Sequence, residues 1–185
     1  MQIGNVKLDN TTILAPLAGI TNLPMRLIAK EAGCGLVCSE MISSNGLVYQ
    51  SGKTERLLES APEEKPLSVQ IFGSDPGIMA ESAKIVDLSG ADILDINFGC
   101  SVRKILKSGS GSALMKQPAL AEAVIRSVRG AIKIPLTIKL RTGWEKNGDD
   151  ARIIAGIAEK EGVDAIAIHP RLATQGFKGC ADWQV

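Results

Sequence analysis

Short apolar runs alternate with amphipathic stretches along nearly the whole chain, and this alternation limits the fold more than any other feature. The runs are Ile13–Leu17, Leu36–Ser39, Leu67–Phe72, Ile93–Asn97, Leu136–Leu140 and Ala165–His169. Most are rich in Ile, Val or Leu without polar alternation, the pattern of strands buried on both faces of a parallel sheet. Between them, Pro24–Ala32, Pro76–Leu88, Pro118–Ala131 and Asp149–Glu161 carry a helical period. Three of these open on Pro, whose missing N–H costs nothing at a first helical position. Three run into Gly33, Gly90 or Gly162, the residue type expected just past a helix end. Asp149 and Asp150 bring negative charge to a helix start. The alternation predicts an α/β fold of βαβ units.

Two architectures compete. A doubly wound sheet carries a Gly-rich phosphate turn after its first strand, but here that strand runs into Ala15-Pro-Leu-Ala-Gly-Ile-Thr-Asn, with no such turn. A TIM (β/α)8 barrel instead spreads its functional residues over the C-terminal ends of several strands. Glu40, Gln70, Asn97, Lys139, Arg141 and His169 fall at or just after such ends. The barrel is favoured. A complete one has eight strands and typically about 250 residues, whereas 185 residues supply six candidate strands. Residues 1–185 are therefore expected to be the N-terminal portion of a barrel domain, truncated after about six βα units. Open edges on such a sheet would be prone to aggregation. Residues 2–8 hold a Gly-Asn turn between apolar residues and predict a small hairpin plugging the barrel bottom.

Composition narrows the function. With 21 basic and 20 acidic residues the net charge is +1, which excludes a globally basic nucleic-acid binder but not a local basic face. No apolar run is long enough to cross a membrane, and the start has no signal-peptide pattern, so a cytoplasmic location is expected. Cys34, Cys38, Cys100 and Cys180 accompany a single His. That inventory does not suit a zinc site, and no metal is expected. Cys34 and Cys38 read as buried structural thiols.

Four residues stand out for chemistry. Cys100 lies at the mouth of the fourth strand near Arg103, Lys104 and Lys107, surroundings that favour a reactive thiol over a small core residue. Lys139 ends an otherwise apolar strand. It reads as an ion pair with Asp95 or Glu40, as a Schiff-base amine of an aldolase, or as a cation beside an electron-rich cofactor ring. Gln70 offers a donor and an acceptor together, for a ring amide edge or for core neighbours. His169 also ends a strand, where function and structure compete. Around the loops after strands four, five and six sit eight cations, Arg103, Lys104, Lys107, Lys116, Arg141, Lys146, Arg171 and Lys178, opposed only by Glu145. Solvated loop charge would explain them, and so would a polyanionic substrate.

Five segments together resemble the bacterial tRNA-dihydrouridine synthases. They are Ala15-Pro-Leu-Ala-Gly-Ile-Thr-Asn-Leu-Pro-Met-Arg, Ser39-Glu-Met, Val69-Gln-Ile-Phe-Gly-Ser-Asp-Pro, Asp95-Ile-Asn-Phe-Gly-Cys and Lys139-Leu-Arg-Thr-Gly-Trp. The resemblance runs over essentially the whole chain. It implies an FMN-dependent TIM barrel, followed by a helical domain that helps hold tRNA. It implies reduction of uridine to 5,6-dihydrouridine with NADPH as reductant. By the same resemblance Pro16, Leu17 and Ala18 wall the flavin ring, while Gln70, Lys139 and His169 bind its polar edge or ribityl chain. Asn97 positions the uracil and Cys100 is the general acid that protonates its C5. Arg103, Lys104, Arg141 and Arg171 become substrate-binding through the RNA backbone. Three departures are visible. The family's Pro after the catalytic Cys is Ser101 here, and its His-Gly-Arg-Thr reads His169-Pro-Arg-Leu. The loops after strands seven and eight, which hold phosphate in this barrel class, are not expected within the chain. The competing readings are another FMN-dependent barrel oxidoreductase acting on a free pyrimidine or an enone, and a non-catalytic truncated RNA-binding fragment.

Overall fold

The structure is a computed structural model that describes residues 1–145 and 149–184. Two strands, β1 (Gln2–Ile3) and β2 (Val6–Lys7), form an antiparallel hairpin. The main sheet comprises β3 (Ile13–Leu14), β4 (Leu36–Ser43), β5 (Leu67–Phe72), β6 (Ile93–Phe98), β7 (Leu136–Arg141) and β8 (Ala165–His169). These six strands lie in sequential order and every neighbouring pair is parallel. The order never reverses, so there is no switch point of the doubly wound kind. The sheet is a half-barrel of the TIM type, with β3 and β8 at its edges.

The crossovers are helical: α1 (Leu23–Glu31), α2 (Ser44–Val48), α3 (Gly52–Glu55), α4 (Pro76–Leu88), α5 (Arg103–Lys107), α6 (Pro118–Ala131) and α7 (Asp150–Lys160). Local chemistry sets their starts. Asn22 Oδ1 accepts from the Met25 N–H at 3.2 Å and Asp75 Oδ1 from the Ile78 N–H at 2.8 Å, each just ahead of a Pro, satisfying donors the helix cannot. Gly90, at φ +84°, takes the left-handed conformation that turns the chain out of α4. The outer face of the sheet packs under these helices: Val69, Ile71, Leu94, Ile96, Ile138 and Leu140 join residues of α4, α6 and α7 in one buried cluster. The hairpin seals the other end, with Ile3 and Leu8 buried against Leu36 and Ile93 at the starts of β4 and β6, as the sequence led one to expect.

Two strands and three short helices differ from expectation. β3 is two residues long rather than five, because Pro16 has no N–H to offer a ladder. β4 runs on to Ser43 through a register shift between Cys38 and Met41, which leaves Glu40 inside the strand at a bulge rather than at its end. The short helices α2, α3 and α5 are too brief to show a period. Behind β4, Arg26 and Glu64 form a buried ion pair that fastens α1 to the following segment. Its guanidinium also donates to the Thr21 and Glu59 carbonyls at 2.9 and 2.8 Å.

Candidate active site

The C-terminal ends of the strands open into a groove of about 440 Å³. Ala15, Pro16, Leu17 and Ala18 make one wall, with Met41 and Ile168 adding apolar surface; Gln70, Asn97, Cys100, Lys139, Arg141 and His169 also line it. Strand pleat explains the convergence, since residues two apart on one strand face the same side. Asn97 is in register with Lys139, Lys139 with Ala167, and Arg141 with His169. Residues separated by dozens of positions are thereby brought to one rim.

Cys100 is half-buried and sits on a turn held from two sides. The Gly99 and Cys100 N–H groups donate to Asn97 Oδ1 at 3.2 and 2.9 Å. The Cys100 carbonyl accepts from the Ser112 N–H and hydroxyl, both at 3.0 Å. Gly111, at φ +64°, passes so close that an added Cβ would lie 2.6 Å from the Cys100 oxygen, so the approach needs glycine. The sequence reading did not single out this clasp, although the run Ser108-Gly109-Ser110-Gly111-Ser112 is its signal.

Gln70 is 1% exposed. Its Nε2 donates to Asp95 Oδ2 at 2.6 Å and its Oε1 accepts from Asn97 Nδ2 at 2.8 Å. Thr137 Oγ1 donates to the other Asp95 oxygen at 2.5 Å. Among the described residues Lys139 forms no ion pair with Asp95 or Glu40; Glu40 instead accepts from the Gly19 N–H. Burial lowers the Lys139 pKa from its usual range while the Asp95 charge opposes that shift, and the residue lines the groove. Burial, reinforced by Arg141, Lys139 and Arg171, pushes His169 down to about 4, so its imidazole is neutral near pH 7. Burial, with the Asp95 charge, pushes the Cys38 thiol up to about 12. Cys38 is thus an inert core thiol, as expected; Cys34 is half-buried.

The cations divide into two groups. Arg103, Lys104, Lys107, Lys116 and Lys178 are exposed, and among the described residues none is in an ion pair. Lys116 lies over the Trp144 ring, 4.7 Å from its centroid. Arg141 differs, being 3% exposed. Its Nε donates to the Gly99 carbonyl at 2.8 Å, and Nη1 to the Leu172 and Gly176 carbonyls at 2.9 Å each. The expected exposed rim therefore loses Arg141, which ties the Cys100 turn to the loop after β8. Arg171 is half-buried, donating to the Gly179 carbonyl at 3.0 Å with Nη1 3.5 Å from His169 Nε2. Lys146 lies outside the described residues. Phe177, which the sequence reading passed over, is 78% exposed and lines the groove, 6.0 Å from the Arg141 guanidinium. No cluster of His, Cys, Asp and Glu able to hold a metal ion occurs among the described residues, and no helix among them is long and apolar enough to cross a membrane.

Comparison with known proteins brings in one family. Residues 13–185 match "Dihydrouridine synthase (Dus)". A probable tRNA-dihydrouridine synthase of Rickettsia conorii is 40% identical over 99% of this chain and 56% of its own length. The tRNA-dihydrouridine synthase B of Vibrio vulnificus is 40% identical over 99% of this chain and 57% of its own. The chain thus spans somewhat more than half the length of these relatives. Among solved structures, the carboxyl transferase domain of Rhizobium etli pyruvate carboxylase superposes with a TM-score of 0.51 at 16% identity, covering 78% of this chain and 23% of that one. That last likeness is one of fold alone.

Proposed function

The chain belongs to the dihydrouridine synthase family, and from that premise we propose that residues 1–185 form the reaction-bearing portion of an FMN-dependent tRNA-dihydrouridine synthase that uses NADPH. One observation carries the proposal: a half-buried thiol, a lysine and a neutral histidine share a groove whose facing wall is apolar. The groove suits a flavin by shape and chemistry. It is concave, largely apolar and has a few convergent polar groups, as cofactor sites do. Pro16, Leu17 and Ala18 would lie against the ring, with Gln70, Lys139 and His169 along its polar edge. When bound, the flavin would supply a hydride, drawn from NADPH, to C6 of the uracil.

The remaining work falls to the chain's own residues. Cys100 holds a proton at Sγ for delivery to C5, as a positioned general acid does. Lys139 stabilises negative charge developing beside it. Asn97, whose Oδ1 is committed to the Cys100 turn, fixes where that thiol stands relative to the base. A uracil must leave its stack to enter such a groove. Arg103, Lys104, Lys107 and Lys178, with Arg171 deeper in the loop, would hold the flanking phosphates. Acting on tRNA, such an enzyme would work in the cytoplasm.

The test is dihydrouridine formation in unmodified tRNA, read by mass spectrometry with FMN and NADPH present. Cys100→Ala should lower the rate by at least about a hundredfold without loss of flavin affinity. Unchanged turnover would remove Cys100 from the reaction. The rate should fall steeply as salt rises; salt-insensitive reduction of a free pyrimidine or an enone would favour a different FMN oxidoreductase.

A further inference from the structure

Barrel interiors are usually filled by bulky branched side chains in layers, yet one layer here is polar. Gln70 is in register with Asp95, and Asp95 with Thr137, and all three are buried. Asp95 is not needed to close an ion pair, since among the described residues it forms none. What it does is written in the direction of its hydrogen bonds.

The chain of bonds can be followed from its far end. The Gly99 and Cys100 N–H groups can only donate, so Asn97 must offer them Oδ1. Its Nδ2 is then left to donate to Gln70 Oε1. That in turn leaves Gln70 Nε2 to donate to whatever stands at position 95. The series needs a terminal group that accepts, and a carboxyl oxygen of Asp95 does so. Its second oxygen is taken by the Thr137 hydroxyl. Ser44 Oγ and Arg171 Nε are the only buried side-chain polar atoms without a partner among the described residues, so every member of the series is satisfied. A buried network in that condition is rigid and has one arrangement.

We propose that Asp95 is a positioning residue: acting through Gln70 and Asn97, it fixes the orientation of both amides and so the turn that carries Cys100. Its functional meaning rests on the reading of Cys100 given above, but the positioning itself does not. Burial raises the Asp95 pKa while its bonds to Gln70 and Thr137 and the Lys139 charge oppose that rise; with or without a proton on the oxygen facing Thr137, the oxygen facing Gln70 Nε2 still accepts.

Amide hydrogen exchange on the 185-residue chain tests this without flavin or tRNA. Asp95→Leu removes the acceptor while keeping the branching of the side chain and should speed exchange at Gly99 and Cys100 by roughly tenfold, the scale of one lost hydrogen bond, with the amides of β5 and β7 little changed. Asp95→Asn can still accept from Gln70 while donating to the Thr137 oxygen, and should restore protection to within about threefold of the original. Gln70→Met interrupts the series with Asp95 in place and should reproduce the Asp95→Leu pattern, which decides the matter if Asp95→Leu does not fold. Unchanged exchange at residues 99 and 100 in the interrupted variants would overturn the proposal. So would acceleration spread evenly over β5–β7, the mark of a role in stability alone. If no variant, nor the original chain, binds flavin or reduces tRNA while the exchange pattern holds, the functional reading fails and the positioning stands.

Discussion

β6 and β8 are both written as short apolar strands, yet the fold treats them in opposite ways. All six residues of β6 are buried, and they include Asp95 and Asn97. No residue of β8 is, although four of its five are Ala or Ile. The difference lies in the neighbours. β6 has a paired strand on each side and helices behind it, whereas β8 pairs only with β7. Burial of a strand is a property of what lies against it. An apolar run states only that burial is possible, and polar residues enter a buried strand when partners are supplied by register.

The comparison can be broken at several points. The largest effect should come from Phe98→Ala in β6, where a fully buried ring leaves a cavity; a loss of about 4 kcal/mol in urea unfolding is expected. Ile168→Ala in β8, at a residue 50% exposed, should cost less than about 1 kcal/mol in the same measurement. Equal losses would mean that something covers β8 in solution.

A smaller effect separates the two strands by pH. His169 in β8 has a folded pKa of about 4 against an ordinary 6.5, so the unfolded chain takes up its proton first. Its contribution is fully present above about pH 6.5 and is lost as pH falls toward 4. Asp95 in β6 works in the reverse sense: its folded pKa is raised, so it stabilises below its unfolded pKa and that contribution declines as pH rises. His169→Gln should therefore flatten the gain in urea midpoint between about pH 5 and pH 7. An unaltered profile would show that His169 is not desolvated.

The sheet was legible because the runs of Ile, Val and Leu in β4–β7 are strands largely buried by helices, and the helices because Pro24, Pro76 and Pro118 stand in the first turns of α1, α4 and α6. The turn at Cys100 was half legible. Asn97 lies three residues before Cys100, a local spacing that a sequence displays, but Gln70 and Asp95 meet only through strand register. Ser-Glu-Met-Ile-Ser reads as a strand end, and its continuation in β4 depends on a bulge set by pairing with β5. Arg141 read as a rim charge because its carbonyl partners come from Gly99, Leu172 and Gly176, which no local pattern connects.

The most direct measurement is a titration of FMN with the 185-residue chain, followed by flavin fluorescence. Saturable quenching is expected, with Lys139→Ala weakening it at least about tenfold through loss of a desolvated cation while the fold, followed by circular dichroism, is kept. A folded chain that leaves the fluorescence unchanged at every concentration would contradict the assignment of the groove as a flavin site.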